Sequence, residues 1–229
     1  MKVLALDTAT LEASVAICDD LKPLAQVHRK VTTHSDHLLA LVDDTLRAAS
    51  LDIGAIDAVV CGAGPGSFTG VRIGLATAKG LCFALGKPLV MASSLGALGS
   101  LGGRGRHPDA LTLVVVDARR DEVFAGLFQG AKPVGEEVVC APEDLLQAID
   151  LTAYQGAELL LIGCGALRYE TLMRALLPDA QFANDHRIRA ADLLPEGLVR
   201  LEAGDFADLE SAVPNYLRGP DIRAPKTPA

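Results

Sequence analysis

The residues best suited to binding a ligand form a glycine-rich stretch, GAGPG at positions 62–66. It lies between the apolar run Ala58–Cys61 and a helix-like segment that begins at Thr69. A helix N-terminus presents free backbone N–H groups, and glycines let the backbone approach an anion closely. The layout of strand, glycine turn and helix therefore suggests a nucleotide phosphate site as a first hypothesis.

The two common phosphate fingerprints do not fit this stretch. A P-loop, G-x-x-x-x-G-K-[ST], has a lysine directly after its second glycine. The nearest lysine here, Lys79, lies nearly three turns into the predicted helix. A dinucleotide fingerprint, G-x-G-x-x-G, has two residues between its second and third glycines, whereas three residues separate Gly66 from Gly70 here. It also needs an acidic residue downstream, and none occurs between Asp57 and Asp109. The spacing disfavours a dedicated phosphate loop.

Two aspartates and a pair of histidines could also carry chemistry. Asp7 and Asp117 each follow an apolar run. A catalytic carboxylate and a turn residue would both fit a position at the end of a buried strand. His34 and His37 flank Asp36 and could hold a metal, although a capped helix start explains the same residues. No G-x-S-x-G nucleophile elbow occurs. The residues alone leave these alternatives open.

Composition predicts a cytosolic protein with a core of helices on sheets. Half of the 229 residues are hydrophobic but only 4% are aromatic, and the five cysteines contain no C-x-x-C pair. Lys79 and Lys87 interrupt the longest apolar region, so no membrane span is predicted. The net charge of −8 argues against nucleic-acid binding by this chain alone, but not against a role in a nucleic-acid pathway.

Hydrophobic periodicity predicts one series of elements that occurs twice, offset by roughly 100–110 residues. The first series is the strands Val3–Leu6, Ala13–Cys18 and Leu24–Val31, the helix His37–Ser50, the strand Ala58–Cys61 and the helix Thr69–Leu85. The second is Leu111–Val116, Val123–Phe128, Val134–Val139, the helix Glu143–Ile149, Leu159–Ile162 and the helix Leu167–Leu177. We therefore expect an α/β fold of two related subdomains, residues 1–103 and 109–218, followed by a loose tail, residues 219–229.

The predicted helix Thr69–Leu85 has an unusual composition. It carries two rows of small residues, Gly70, Gly74, Ala78 and Cys82 in one and Ala76, Gly80 and Ala84 in the other. Its only charged residues are Arg72 and Lys79, so its polar stripe is narrow and two of its sides should be buried. A central helix of the fold and a helix shared with a partner both explain this pattern.

We assign the shared surface to one face of this helix and to the leucine-rich helix before it. The assigned residues are Val71, Gly74, Leu75, Ala78, Cys82, Leu38, Val42 and Leu46. On this assignment, Gly74→Leu is expected to prevent partner binding while leaving the fold intact.

Four segments together resemble the bacterial TsaB family, also called YeaZ. They are Val3–Thr10 (VLALDTAT), Gly64–Leu75 (GPGSFTGVRIGL), Asp117–Phe124 (DARRDEVF) and Pro214–Arg218 (PNYLR). The most specific motif comprises Gly64, Pro65, Gly66, Ser67, Phe68, Thr69, Gly70 and Arg72. The resemblance implies the actin-like ATPase (sugar kinase/Hsp70) superfamily, with duplicated βββαβα subdomains.

The resemblance also implies a function and partners. TsaB is a non-catalytic accessory subunit in the synthesis of threonylcarbamoyladenosine at position 37 of tRNAs that read ANN codons. It forms a heterodimer with its metal-bearing catalytic paralogue TsaD, which the ATPase TsaE joins, and it forms homodimers in isolation. The resemblance also implies that this chain meets tRNA only as part of the complex. The dimer helices correspond to His37–Ser50 and Thr69–Leu85.

The phosphate-loop positions depart from the superfamily pattern. Superfamily ATPases typically carry Asp-x-Gly after the first strand of each subdomain, whereas Asp7-Thr8-Ala and Asp117-Ala-Arg lack the glycine. The H-x-x-x-H metal motif of the catalytic paralogue is also missing. We therefore expect no cofactor and no metal. The rival hypotheses are an active small-molecule kinase or ATPase, a metallopeptidase-like hydrolase, and a homodimer with a separate regulatory role.

Overall fold

Two mixed β-sheets form the framework of the computed structural model, which describes residues 1–30, 37–152 and 156–218. The first sheet contains β1 (Lys2–Asp7), β2 (Glu12–Asp19), β3 (Lys22–Lys30), β4 (Ala58–Gly62) and β5 (Leu89–Ala92). Its strand order is β3-β2-β1-β4-β5. The meander β1–β3 is antiparallel, whereas β4 and β5 run parallel to β1.

The second sheet repeats this arrangement. It contains β6 (Leu111–Arg119), β7 (Glu122–Gln129), β8 (Lys132–Pro133), β9 (Val138–Cys140), β10 (Leu159–Ile162) and β11 (Gln181–Phe182). Its order is β11-β10-β6-β7-β8, and β9 also pairs with β7. The three-strand meander followed by parallel strands is therefore present twice, and the predicted α/β fold class is confirmed.

Seven α-helices accompany the two sheets in the part of the chain that the structure describes. They are α1 (Leu38–Ala49), α2 (Phe68–Leu85), α3 (Ser94–Gly103), α4 (Leu145–Ala148), α5 (Cys164–Arg168), α6 (Glu170–Leu176) and α7 (Leu194–Glu202). The predicted helix Leu167–Leu177 is thus two helices, and the predicted third strand of the second half is two short strands. The helices of the second half are shorter than those of the first.

Three layers of apolar side chains hold the sheets and helices together. Alternation along β1 sends Leu4 and Leu6 toward α1 and α2, and sends Val3 and Ala5 toward the other sheet. The far side of the second sheet is covered by the helices from α4 to α6. Because β1 is covered on both faces, its end at Asp7 lies inside the molecule.

The last helix of each half packs on the sheet of the other half. In α3, Gly99 and Gly102 leave room for Phe128 and Thr112 of the second sheet. In α7, Gly197 leaves room for Val60 of the first sheet. The division into residues 1–103 and 109–218 remains a prediction, and packing crosses it in both directions. The predicted tail, residues 219–229, lies outside the described residues.

Candidate functional site: the glycine turn and the outer face of helix α2

The glycine turn and the start of α2 pack directly on the end of β1. A Cβ on Gly62 would lie 2.0 Å from Asp7 Oδ2, and a Cβ on Gly70 would lie 2.1 Å from the Thr8 carbonyl oxygen. Thr8 Oγ1 also donates a 2.8 Å hydrogen bond to the Gly70 carbonyl. The chain itself therefore occupies the space that these glycines leave free.

Asp7 is enclosed and serves as an internal hydrogen-bond acceptor. Its Oδ2 accepts from the Ser94 hydroxyl at 2.6 Å, and its Oδ1 accepts from the Ala9 N–H at 2.8 Å. Burial raises the pKa of the Asp7 carboxyl, while these two hydrogen bonds oppose the increase. The Gly64 N–H in turn donates to Ser94 Oγ at 3.1 Å. Asp7 thus ties the glycine turn to α3.

Asp117, at the equivalent end of β6, is neutralised by arginines. Arg168 Nη1 lies 3.0 Å from Asp117 Oδ2, and the backbone N–H of Arg119 donates to Oδ1 at 2.9 Å. Among residues 1–30, 37–152 and 156–218, no group of three or more His, Cys, Asp or Glu side chains could hold a metal. His37 is exposed just before α1, and His34 lies outside the described residues.

Because the glycine turn is filled by the chain's own atoms, we expect the isolated chain to give no binding heat when it is titrated with magnesium ATP. Isothermal titration calorimetry measures this directly. Saturable binding at micromolar nucleotide would show that the turn opens to admit phosphate, and would support the kinase or ATPase hypothesis.

The face of α2 that the sequence analysis assigned to a partner is buried inside this chain. Val71, Leu75, Ala78 and Cys82 are each less than 5% exposed, and Gly74 is also buried. A Cβ on Gly74 would lie 2.2 Å from Thr8 Oγ1. The assignment of these five residues to a shared surface was wrong, because this small-residue row lets α2 approach its own sheet.

The assigned residues of α1 are buried as well. Leu38, Val42 and Leu46 are 2%, 2% and 6% exposed and join the same core cluster as the inner face of α2. They position α1 beside α2 on the first sheet. They do not form a surface for another protein, so this part of the assignment was also wrong.

The opposite side of α2 is apolar and open. We define the outer face of α2 as Ala76, Gly80, Phe83 and Ala84, all of which are exposed. Phe83 is 83% exposed, more than any other large hydrophobic side chain in the described part of the chain. A Cβ on Gly80 would meet nothing within 4 Å. On α1, which contacts α2, Leu39 is 60% exposed.

The two charged residues of α2 are directed to one flank of the helix. Arg72 Nε donates to the Tyr216 hydroxyl at 2.7 Å, and its guanidinium lies 3.7 Å from the ring centroid of Phe68. Lys79 Nζ donates to the Glu210 carbonyl at 3.4 Å. The outer face is therefore uncharged.

By length and apolar composition α2 could also cross a bilayer, but it buries six residues on its own sheet.

The remaining motif residues shape the entry to α2. Ser67 caps the helix, and its Oγ accepts from the Gly70 N–H at 3.3 Å. Gly64 has a φ of +92°, which favours glycine, and precedes Pro65 across a cis peptide bond. Thr69 is exposed beside Phe68. The motif therefore builds the turn that directs α2 across the sheet.

Two features of the site escaped the sequence analysis. The sequence contains the row Ala76, Gly80 and Ala84, but the repeat of small residues alone does not indicate which of the two rows is exposed. The contact of Ser94 with Asp7 joins residues 87 positions apart, and no local pattern indicates it. Phe83 gave the available signal, as the one aromatic residue in the last turns of a helix rich in small residues.

Comparison with known proteins is consistent along almost the whole chain. The family model for TsaD, tRNA N6-adenosine threonylcarbamoyltransferase, matches residues 28–171. The tRNA threonylcarbamoyladenosine biosynthesis protein TsaB of Escherichia coli is 29% identical, over 95% of this chain and 95% of its own. The solved structure of YeaZ from Pseudomonas aeruginosa has a TM-score of 0.80 and 31% identity, covering 94% of this chain and 99% of that one.

A more distant structure shares the fold alone. Component A of the (R)-2-hydroxyglutaryl-CoA dehydratase of Acidaminococcus fermentans has a TM-score of 0.56 at 10% identity, covering 90% of this chain and 99% of that one. At this identity the similarity shows a shared fold and nothing about activity. With the near full-length similarity to YeaZ and the match to the threonylcarbamoyltransferase family model, the chain belongs to the TsaB/YeaZ family.

Proposed function

We propose that this chain is a non-catalytic accessory subunit in threonylcarbamoyladenosine biosynthesis. In this proposal it binds the catalytic TsaD paralogue through the outer face of α2 and the adjacent part of α1. The observation that carries the proposal is Phe83, which is 83% exposed beside the open position at Gly80. Membership of the TsaB/YeaZ family supplies the pathway.

The chemistry around the two strand ends supports an accessory role. Asp7 is enclosed by Ser94 and Ala9, and Asp117 is paired with Arg168. A carboxylate that is enclosed, as Asp7 is, or paired with an arginine, as Asp117 is, is poorly placed to take a proton from a substrate or to coordinate a metal ion. The same positions in an active kinase would have to face a ligand.

The shape of the outer face supports docking of a helix. Ala76, Gly80 and Ala84 leave a shallow path along α2 where a partner backbone can approach closely, as small residues do at helix crossings. Phe83 stands beside this path and can fill a pocket on the partner, the usual role of an aromatic hot spot. We expect the complete interface to bury on the order of 1,200–2,000 Å².

The proposal extends to the other members of the assembly. TsaE, the ATPase subunit, joins the heterodimer, and in the absence of TsaD the same face supports a homodimer. Because the chain carries a net charge of −8, tRNA binding falls to other subunits. The complex works in the cytoplasm, where its tRNA substrates are.

A genetic test addresses pathway membership. In a strain depleted of this protein, we expect threonylcarbamoyladenosine in bulk tRNA to fall to background, as measured by mass spectrometry of nucleosides. Wild-type protein should restore it, and Phe83→Glu should not. Unchanged threonylcarbamoyladenosine after depletion would contradict the proposal and favour a separate regulatory role.

A further inference from the structure

Near its N-terminal end, α2 carries an exposed arginine that is held by two aromatic residues. The guanidinium carbon of Arg72 lies 3.7 Å from the ring centroid of Phe68 and 5.5 Å from that of Tyr216. Its Nε donates a 2.7 Å hydrogen bond to the Tyr216 hydroxyl. These contacts hold a long side chain in one position, so it loses less conformational entropy when it binds another group.

Arg72 lacks a carboxylate partner within the described chain. Among residues 1–30, 37–152 and 156–218, no aspartate or glutamate oxygen lies within 4.0 Å of its nitrogens, and no hydrogen bond uses its Nη1 or Nη2. Arginines on α1, α6, α7 and both sheets, by contrast, form ion pairs with carboxylates of this chain. The two Nη groups of Arg72 are therefore available to an anion from outside these residues.

A complete version of the arrangement occurs on α6. The guanidinium carbon of Arg174 lies 4.2 Å from the ring centroid of Phe182, and its Nη2 lies 2.8 Å from Glu170 Oε1. Its Nε donates to the same oxygen at 2.9 Å. Arg174 thus combines a stacked ring with a carboxylate, whereas Arg72 has the stacked ring alone.

Arg72 borders the surface proposed above for docking. It precedes Ala76 by four residues and Phe83 by eleven, which is about one and about three helical turns, so the three side chains project from one side of α2. Phe68 and Tyr216 are each 38% exposed beside it. A partner helix that covers Phe83 and continues toward the N-terminal end of α2 would therefore remove water from Arg72.

Removing water from a cation is costly unless an opposite charge replaces it. The fork of a guanidinium group matches the two oxygens of a carboxylate. We propose that Arg72 is an anchor for an aspartate or glutamate side chain of the protein that docks on α2. The inference rests on the function proposed above, and it names the group that the partner must place near the N-terminal end of α2.

A phosphate group of RNA is the other anion that a guanidinium fork binds well. Binding a phosphate backbone takes several cations, because each neutralises one phosphate. The groups that hold Arg72 are aromatic, and the chain has a net charge of −8. A carboxylate presented by a docked protein therefore fits Arg72 better than a phosphate of RNA.

Carbodiimide crosslinking of the full chain with purified TsaD paralogue tests the anchor. Arg72→Lys places a primary amine near the position of the guanidinium, and the reagent joins an amine to a carboxylate in contact with it as an amide, taking up the water that is lost. At concentrations that keep the complex formed, we expect a crosslink from position 72 to one aspartate or glutamate of the paralogue, identified by mass spectrometry.

Arg174→Lys is the matched control for the crosslink. Its amine should join Glu170 of the same chain, because that carboxylate already contacts Arg174. A merely structural Arg72 would give no crosslink to the paralogue. No crosslink from position 72, in a mixture that forms the complex and under conditions that give the Glu170 crosslink in the control, would overturn the anchor.

Affinity for the paralogue gives a second measurement. Arg72→Met should weaken binding by at least about tenfold, as expected for the loss of a hydrogen bond between charged groups, and Arg174→Met should bind as wild type does. Tyr216→Phe keeps the guanidinium and should weaken binding less than Arg72→Met. An equal loss in Tyr216→Phe and Arg72→Met would indicate that Arg72 only supports the local structure, and would contradict the anchor.

The affinities also separate the anchor from the proposed function. If Phe83→Glu weakens binding and Arg72→Met does not, docking through α2 stands and the anchor is wrong. If neither substitution weakens binding, both proposals are wrong. If Arg72→Met lowers only the affinity of the assembled complex for tRNA, the anion is a phosphate and the carboxylate anchor is overturned.

Discussion

Replacing Gly70 with alanine is expected to lower the free energy of unfolding by about 3 kcal/mol, whereas the same change at Gly80 should raise it by up to about 1 kcal/mol. A Cβ at Gly70 would lie 2.1 Å from the Thr8 carbonyl oxygen, a backbone atom that cannot turn aside. At Gly80 it would meet nothing within 4 Å, so only the better helix propensity of alanine remains. Urea denaturation of both variants measures the difference.

The two glycines are matched, since they share a helix and receive the same methyl group. Equal stability changes in the two variants would show that α2 does not pack on β1 as closely as the structure has it. The comparison also explains why Gly74→Leu is a poor test of docking. Its Cβ would lie 2.2 Å from Thr8 Oγ1, so the variant would lose binding by disrupting the fold.

Replacing Phe83 with glutamate is expected to weaken binding to the TsaD paralogue by at least about 30-fold, since aromatic hot spots contribute about 2–4 kcal/mol. The substitution removes the largest exposed apolar side chain of the outer face and places a charge where the contact must be dry. The fold should be unchanged, because Phe83 lies outside the core clusters. Calorimetry measures the affinity, and circular dichroism checks the fold.

Val199→Glu provides the control for that experiment. Val199 is 65% exposed on α7, so the same charge is added to a similarly exposed apolar position on another helix. We expect Val199→Glu to bind the paralogue as the wild type does. If Phe83→Glu binds normally, or if both variants lose affinity equally, the outer face of α2 is not the docking surface.

Regular elements could be predicted from the sequence because they carry strong periodic signals. β1 and β6 each contain an apolar run followed by an aspartate, and both occur where predicted, although β6 continues past Asp117 to Arg119. The short strands β8, β9 and β11 have two or three residues each, too few to set up an alternation. β8 pairs with the strand directly before it, whereas β9 and β11 pair with strands that lie farther away in the chain, β7 and β10.

The exposed face of α2 is hard to predict because small residues occur on both of its sides, and Phe83 is the one local signal that separates them. Small residues occur in both rows, and only contact with Thr8 distinguishes Gly70 and Gly74 from Gly80. The contact of Arg72 with Tyr216 spans 144 positions. The PNYLR segment resembles a family motif, but its contacts with both α2 and β7 depend on the way the two halves meet.

Photo-crosslinking from position 83 tests docking through α2 most directly. A photoreactive phenylalanine analogue at Phe83 keeps the aromatic side chain, and the same analogue at Val199 serves as the control. With purified TsaD paralogue present, we expect a heterodimeric crosslink from position 83 and none from position 199, as identified by mass spectrometry. A crosslink from position 199 alone, or none from position 83 in a mixture that forms the complex, would contradict docking through the outer face of α2.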